Sequence, residues 1–346
     1  YLMADNLIFE LNEPLDMHLH LRDGDMLSLV GPLTSETFSG ALVMPNLVPP
    51  ITTKEALLSY KERINNVCKD DKFEPFVTLF FKNDYTYEFL EDIKDDIIAI
   101  KLYPAGITTN SETGVSSMDV EVLRPTLESM SKLGIPLCVH GETNGFVMDR
   151  EKEFMPIYES LAIAFPNLKI IMEHITTKDA IELLDKYDNL YATVTLHHLL
   201  ITLDDVAGGM LQPHLFCKPI AKRPEDRTAL LNAALGANPK LMFGSDSAPH
   251  PKDKKESCGC AAGVFTSPIA LQVLVQLFEK HNCLDNLNKF LSLNAQKVYN
   301  LKPLKKTIKL IKKDFVVPSA YEYKNESVVP MYWGEKLSWS IKSIDK

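Results

Sequence analysis

The feature that most constrains the fold is a series of short apolar runs separated by stretches long enough to hold a helix. The eight runs cover residues 15–21, 40–45, 76–81, 97–103, 135–140, 169–175, 190–196 and 241–244. Most are apolar at successive positions rather than at alternate ones, which is typical of parallel strands covered on both faces. Eight β–α repeats in one chain predict an α/β fold, specifically a TIM-type (β/α)8 barrel.

Helical patterns with recognisable ends lie between these runs. The pattern at residues 120–133 is followed by Gly134 and Pro136, which form a helix-stop signal. Further helices are predicted at residues 177–186, 224–235 and 268–281, the first with Thr176 or Thr177 as its N-cap. The alternative fold is a doubly wound open sheet. Its nucleotide-binding forms are disfavoured because no glycine-rich phosphate loop follows a strand.

The length and the composition fit one barrel with an appendage. The chain has 346 residues, of which 45% are hydrophobic and 24% are charged, as in an ordinary globular protein. We assign residues 1–300 to the barrel. Residues 301–346, which begin with a lysine-rich stretch, are predicted to form a C-terminal extension that packs on it.

The charge and the cysteines restrict the partners and the compartment. A formal net charge of -9 disfavours nucleic acid or an anionic membrane as the main partner. The lysines within residues 252–255 are interpreted as a solvated loop that adds local positive potential. We expect neither a membrane span nor secretion, because no apolar run reaches about 18 residues and no secretion-signal pattern begins the chain. The six scattered cysteines favour reduced thiols and a cytoplasmic location.

A pair of histidines at the end of the first run carries the strongest chemical signal. Side chains at i and i+2 of a strand point to the same side, so His18 and His20 present two imidazoles together. Two neutral imidazoles can hold a borderline metal ion such as zinc. Arg22 is next in the same row and offers a fork for a substrate carboxylate. For an isolated pair, the alternative is a strand whose histidines only hydrogen-bond to backbone.

Polar side chains also follow other runs, at positions that a barrel brings to its functional end. The set is His18, His20, Lys101, His140, His174 and Asp246. Singly, each has a plain structural reading as a snorkelling lysine, a core histidine or a turn residue. Together at one rim they favour a site. Two metal ions need an anionic bridge, and a lysine that has added carbon dioxide supplies one carbamate oxygen to each ion.

The motifs around these residues resemble the dihydroorotase family of the amidohydrolase superfamily, in its bacterial homodimeric class. They are HLHLR (18–22), MPN (44–46), IKLYP (100–104), HGE (140–142), EH (173–174), KPI (218–220), GSDSAPH (244–250) and CGCA (258–261). The similarity runs from about residue 15 to about residue 295. It implies reversible cyclisation of N-carbamoyl-L-aspartate to L-dihydroorotate in pyrimidine biosynthesis. It also implies a homodimer with no nucleic-acid or membrane partner.

The resemblance further implies how the metal centre is built. The first of two zinc ions would be held by His18, His20 and Asp246. The second would be held by His140 and His174. Carboxylated Lys101 and a hydroxide would bridge the two ions. Asp246 would also be catalytic, taking the proton from the hydroxide and passing it to the leaving nitrogen.

Three further sets of residues would bind the substrate according to the same resemblance. Its free carboxylate would be bound by Arg22, Asn46 and His250. Its ring would be held by backbone groups of Lys218 and Ala262, with Ala261 as the alternative to Ala262, and His140 would also contact the substrate. Hydroxyl groups from a closing loop would come from Thr108 and Thr109. Family members more often have an apolar residue at position 218, a difference that a backbone contact tolerates.

Rival functions remain open at this point. A hydantoinase or allantoinase usually carries a β-sandwich built partly from residues before the histidine pair, and only 17 residues precede His18. The carboxylate-binding trio also favours an acidic substrate. A catalytically inactive barrel kept as a scaffold typically loses metal ligands, and none is missing from this sequence. A zinc deaminase of related fold is a weaker candidate, because it does not require the bridging Lys101.

Arg22→Lys tests the predicted carboxylate fork. The substitution is expected to raise KM for L-dihydroorotate by about 10-fold or more, since a point charge replaces bidentate hydrogen bonding. The metal content should stay unchanged, because Arg22 is not among the predicted ligands. Steady-state kinetics and metal analysis measure the two effects. Full activity in the variant would remove Arg22 from this role.

Overall fold

The computed structural model describes residues 7–346. Its strands are β1 (Ile8–Asn12), β2 (Leu15–Leu19), β3 (Gly40–Val43), β4 (Glu74–Val77), β5 (Leu79–Phe80), β6 (Ile100–Leu102), β7 (Leu137–Val139), β8 (Ile170–Met172), β9 (Leu190–Val194), β10 (Leu241–Phe243), β11 (Thr307–Ile311), β12 (Phe315–Val316), β13 (Tyr321–Tyr323), β14 (Glu326–Val328), β15 (Lys336–Leu337) and β16 (Ser340–Asp345). No helix in this part of the chain has both the length and the apolar character needed to cross a membrane.

The helices alternate with the central strands. They are α1 (Gly24–Ser35), α2 (Lys54–Val67), α3 (Tyr87–Ile93), α4 (Val120–Leu133), α5 (Arg150–Ala164), α6 (Lys178–Leu184), α7 (Leu196–Leu200), α8 (Leu203–Ala207), α9 (Pro224–Leu235), α10 (Lys252–Lys255), α11 (Ala270–Lys280), α12 (Leu284–Asn288) and α13 (Asn294–Tyr299). A 3-10 turn (Pro213–Leu215) and a π-helical turn (Lys289–Leu293) complete the set.

The central strands lie at the positions of the apolar runs and form a parallel ring. β2, β3 and β4 pair in chain order, and so do β5 through β10. Thr78 alone separates β4 from β5 in sequence. The first strand meets the end of the last through a parallel bridge between Leu19 and Ser247. Asp246 N also donates to His18 O at 2.7 Å, and His20 N donates to Ser247 O at 3.0 Å. The fold is therefore the predicted α/β barrel.

The strands are shorter than the apolar runs that predicted them. The last run, residues 241–244, comes closest, since β10 covers Leu241–Phe243. The fourth run covers residues 97–103, whereas β6 contains only Ile100–Leu102. Ile97 and Tyr103 lie outside the strand but are buried. Apolar runs therefore report burial, which continues past the last ladder hydrogen bond.

The helix ends follow the signals in the sequence. α4 and α9 have the predicted bounds, and Gly134 closes α4 with a left-handed φ of 69°. Thr177 rather than Thr176 caps α6, because Thr177 Oγ1 accepts from Ala180 N at 3.2 Å. The predicted helices at residues 177–186 and 268–281 are each slightly longer than α6 and α11. The caps fix where the intrahelical hydrogen bonds begin and end.

Residues beyond 300 form a small sheet with the first strand of the chain. β1 pairs antiparallel with β11, which pairs antiparallel with β16. We did not predict β1, because charged and polar positions interrupt its apolar pattern. The sheet therefore crosses the predicted boundary at residue 300. The division of the chain at residue 300 remains a prediction. The first six residues of the predicted barrel domain lie outside the described residues.

Lys306 anchors this region to the barrel layer. Its buried ammonium donates to Ser35 O at 2.6 Å and to Phe38 O at 2.7 Å, at the C-terminal end of α1. The last carbonyl groups of a helix lack intrahelical donors and carry partial negative charge. The lysine thus satisfies acceptors that would otherwise be buried without partners.

Lys306→Met is expected to lower the free energy of unfolding by about 2 kcal/mol. The variant keeps the apolar stem but leaves those carbonyl groups without their donor. Lys305→Met is the matched control, since the Lys305 side chain is exposed, and it should change stability by less than about 0.5 kcal/mol. Denaturant unfolding measures both variants, and equal losses would contradict the anchor.

Candidate active site

The side chains predicted at the strand ends meet around one cavity at the carboxyl rim of the barrel. All of the predicted metal-binding and substrate-binding residues line it, apart from His250. His250 lies just behind the wall, where its Nε2 is 3.1 Å from Arg22 Nη2 and 2.9 Å from Ala262 O. The structure therefore brings the predicted set together, while the role of each residue remains a prediction.

Four imidazoles and one carboxylate cluster at the base of the cavity. The ring centroids of His18 and His174 are 5.0 Å apart, and those of His140 and His174 are 4.6 Å apart. Asp246 Oδ1 lies 3.0 Å from His20 Nε2 and 3.4 Å from His18 Nε2. Ligand atoms of His18, His174 and Asp246 all lie within 4.8 Å of one another. Such convergence of nitrogen and oxygen donors is typical of a metal site.

The opposite nitrogens of three of these rings are held by polar partners. The pairs are His18 Nδ1 with Glu173 Oε2 at 2.6 Å, His20 Nδ1 with Asn46 Oδ1 at 2.8 Å, and His140 Nε2 with Glu142 Oε1 at 2.6 Å. A carboxylate or amide oxygen at one ring nitrogen fixes the proton there. The other nitrogen is then left unprotonated, as a metal ligand must be.

The charge states of His20, His140, His174 and Asp246 suit metal binding. Burial lowers the pKa of His20 to about 4 and also lowers the pKa values of His140 and His174. Burial is the largest single effect on His18 and lowers its pKa, but the carboxylates of Glu173 and Asp246 together outweigh it, so the net shift of this pKa is upward. Burial raises the pKa of Asp246, but His18 and His20 lower it by more than burial raises it. The net shift of this pKa is therefore downward. The carboxylate is therefore ionised.

Lys101 lies beside these imidazoles without a partner. Its side chain is fully buried, and in the described part of the chain its Nζ makes no hydrogen bond. The Tyr103 ring centroid is 4.0 Å from Nζ, and burial lowers the pKa of Lys101 to about 8. A buried polar group without a partner is costly.

The donor set fits a pair of divalent ions. Neutral imidazoles and an ionised carboxylate are ligands that zinc accepts. His174 Nδ1 and Lys101 Nζ are both buried without partners among residues 7–346. A purely structural core would satisfy such atoms by hydrogen bonding. Their isolation at a cluster of ligands favours a site that metal ions complete.

The groups predicted to bind substrate surround this cluster. Arg22 Nε donates to Pro249 O at 3.1 Å, which fixes the guanidinium at the cavity. Asn46 Nδ2 donates to Thr109 O at 2.9 Å, so the loop with both threonines lies against the cavity. Between the two alanine alternatives, Ala262 lines the cavity, whereas Ala261 O points to Lys255 Nζ at 2.7 Å.

Sequence reasoning missed two residues that shape the site. Glu173 received no role, although a carboxylate at the end of a buried strand was an available signal. Gly263 lines the cavity, and a Cβ at this position would lie 2.4 Å from Ala248 O. No local pattern could have revealed this approach, since it depends on how two loops meet.

A second cluster of potential ligands lies nearby. Ligand atoms of His197, His198 and Cys217 lie within 4.8 Å of one another, and all three residues are buried. His198 already contacts Thr195 Oγ1 at 2.8 Å and Pro219 O at 2.9 Å through its two ring nitrogens. Because both ring nitrogens of His198 are occupied, His198 offers no free ligand atom and these three residues do not form a three-ligand site. Both ring nitrogens of His197 are nevertheless buried without partners within residues 7–346.

The fold and the site together define the class. A parallel barrel that gathers histidines, a lysine and an aspartate at its carboxyl rim has the architecture of a metal-dependent amidohydrolase. The family model described as amidohydrolase matches residues 93–301. The chain is thus an amidohydrolase, and its relatives identify the branch.

Relatives named dihydroorotase match almost the whole chain. The Helicobacter acinonychis dihydroorotase is 45% identical over 336 residues, which is 96% of this chain and 98% of the relative. The structure of Campylobacter jejuni dihydroorotase is 57% identical, with a TM-score of 0.94 and 99% of each chain covered. The Saccharomyces cerevisiae dihydroorotase, solved with 5-fluoroorotic acid, is 36% identical with a TM-score of 0.91 over 97% of this chain and 98% of that one. The chain belongs to the dihydroorotase family.

These comparisons confirm the predicted family, fold class and type of enzyme. They also bear on the hydantoinase alternative. The L-hydantoinase of Arthrobacter aurescens superposes with a TM-score of 0.78, but only 17% of residues are identical. That likeness shows a common fold alone.

Glu173→Ala is expected to weaken metal binding by about 10-fold to 100-fold, because His18 loses the carboxylate that orients its ring. Metal content after dialysis against buffers of fixed free zinc measures the affinity. Glu182→Ala, an exposed carboxylate on α6, is the control and should bind metal as the unmodified protein does. Equal affinity in the two variants would rule out this orienting role.

Proposed function

We propose that this dihydroorotase-family chain converts N-carbamoyl-L-aspartate reversibly to L-dihydroorotate and water, as a step of pyrimidine biosynthesis. The observation that carries the proposal is one cavity in which buried metal-ligand side chains lie beside Arg22. An anionic substrate with a cyclic amide requires both parts, one for its carboxylate and one for its carbonyl group.

The proposed metal centre contains two zinc ions. One would be held by His18, His20 and Asp246, the other by His140 and His174, with carboxylated Lys101 between them. When bound, the ions would supply an activated water and polarise the carbonyl group of the ring amide. Carboxylation is supported by the unpartnered Nζ of Lys101 and by its lowered pKa, because only the neutral amine adds carbon dioxide.

Arg22 would bind the free carboxylate of the substrate. Its side chain is partly buried, and its hydrogen bond to Pro249 O leaves other N–H groups for a bidentate contact. His250 lies against the same guanidinium and would extend the binding surface. Holding the carboxylate at this point sets the position of the ring amide over the ligand cluster.

Asp246 would move the proton. Its ionised carboxylate lies at the centre of the cluster, 3.0 Å from His20 Nε2. In the hydrolytic direction it would accept a proton from the attacking water and deliver it to the ring nitrogen as the amide bond breaks. In the cyclising direction the same carboxylate would take the proton from the attacking carbamoyl nitrogen.

The remaining predicted contacts would enclose the substrate. Thr108 and Thr109 line the cavity from a loop that Asn46 holds by its amide group. On the opposite side, backbone groups of Lys218 and Ala262 would hold the ring. Closure of this kind excludes water that would compete with the attacking group.

A cytoplasmic homodimer is also part of the proposal. The six cysteines are free thiols in the structure, which is the state expected in a reducing compartment. The homodimer is supported by the resemblance to the bacterial class, with which the chain shares motifs across residues 15–295. The proposed partner of the active site is the small-molecule substrate alone.

Metal removal tests the proposed function. The purified protein should hydrolyse L-dihydroorotate, lose activity with a chelator, and regain it with Zn2+, more completely when bicarbonate is present. The ultraviolet absorbance of the dihydroorotate ring follows the reaction, with hydantoin as a control substrate. Turnover of hydantoin alone would favour the hydantoinase alternative. A folded, zinc-loaded protein that turns over neither compound would favour an inactive scaffold.

A further inference from the structure

Lys255 does not behave as the solvated lysine that its sequence context predicted. It ends the short helix α10, in which Lys252 and Lys254 are exposed while Lys255 is only 3% exposed. Its Nζ donates to Phe216 O at 3.0 Å and to Ala261 O at 2.7 Å. The ammonium therefore reaches inward and joins two segments that are distant in sequence.

The charge of Lys255 has no carboxylate counterpart. Within residues 7–346 it forms no ion pair, and its two hydrogen bonds go to backbone carbonyl groups. Burying an ammonium without an opposite charge carries a desolvation cost that must be offset by good hydrogen bonds. A solvated lysine at this surface would avoid that cost, so the inward position calls for a reason.

The two segments that Lys255 joins form one wall of the active-site cavity. Cys217 and Lys218 line it from the first segment, and Ala262 and Gly263 line it from the second. Gly263 N also donates to Phe216 O at 2.9 Å, so this carbonyl group accepts from both sides. The wall therefore consists of two segments of irregular backbone that are held together at Phe216 O.

The position of this wall leaves little tolerance. A Cβ at Gly263 would lie 2.4 Å from Ala248 O, so the second segment already approaches the barrel rim closely. His250 contacts Ala262 O at 2.9 Å and Arg22 Nη2 at 3.1 Å. A displacement at Ala261 or Ala262 would therefore be passed to the groups that face the substrate.

We infer that Lys255 is a positioning residue that holds residues 216–219 and 261–263 at the spacing that receives the substrate ring. It does not line the cavity, and it acts through the backbone that does. The identity of the ring rests on the proposed function. The clamp itself follows from the two hydrogen bonds and the lining residues.

Kinetics of Lys255→Met test the inference, because this variant keeps the stem and removes both donors. We expect KM for L-dihydroorotate to rise about 10-fold, the size of one lost charge-assisted hydrogen bond, with kcat within about twofold and zinc content unchanged. Lys254→Met, on the exposed face of the same helix, should match the unmodified protein. Lys255→Arg should recover part of the affinity, since it restores a cationic donor.

Hydrogen exchange and a second variant distinguish this inference from a general loss of structure. Hydrogen exchange without substrate should accelerate in Lys255→Met at residues 216–219 and 261–263 and stay unchanged elsewhere in the barrel. If Lys255→Met does not fold, Lys255→Gln keeps a neutral donor and should show a smaller rise in KM.

An unchanged KM, or a loss of kcat and zinc at constant KM, would overturn the clamp. A protein without activity on dihydroorotate would instead overturn the proposed function and leave the exchange result to decide on Lys255.

Discussion

The active site depends on closure of the first barrel strand onto the last. Asp16 accepts hydrogen bonds from Ser245 N at 2.8 Å and from Ser245 Oγ at 2.5 Å, across 229 residues of sequence. Beyond that contact, Asp246 N donates to His18 O at 2.7 Å. Because these bonds fix the register of the two strand ends, the carboxylate of Asp246 meets the histidine pair of β2. Without closure, Asp246 and the histidine pair would lie at opposite edges of an open sheet.

A cluster of polar groups can be buried here because most outward-facing atoms have partners. Glu173 accepts from His18 Nδ1 and from Thr193 Oγ1, each at 2.6 Å, which spreads the cost of burying its charge. In the same way, Asn46 Oδ1 accepts from His20 Nδ1. The amide nitrogen of Asn46 also holds the loop by donating to Thr109 O. His174 Nδ1 and Lys101 Nζ, which have no partner within residues 7–346, belong to residues that line the cavity. Stability and function therefore depend on the same network of hydrogen bonds.

Much of the fold and the site was readable from sequence because both follow simple periodicities. Strands covered on both faces are continuously apolar, and polar residues at their ends share one rim. The strand β1 was missed because Glu10 interrupts its pattern and its partner β11 lies some 300 residues away in sequence. Lys255 was misread for a related reason, since one of its two acceptors, Phe216 O, lies 39 residues away in sequence and only the tertiary fold brings it near. Local pattern predicts which residues are buried better than it predicts what they contact.

The buried lysines make this distinction concrete. Four lysines of the described chain are buried: Lys101, Lys222, Lys255 and Lys306. Three of them donate to backbone carbonyl groups, Lys222 to Ile220 O at 2.7 Å and the other two as described above. Lys101 alone among them has no acceptor, although it is the most deeply buried. An ammonium makes no hydrogen bond in this pocket of imidazoles, whereas an anionic carbamate there would have metal ions to bind. The missing acceptor therefore distinguishes Lys101 from the other three buried lysines and supports the proposed carboxylation.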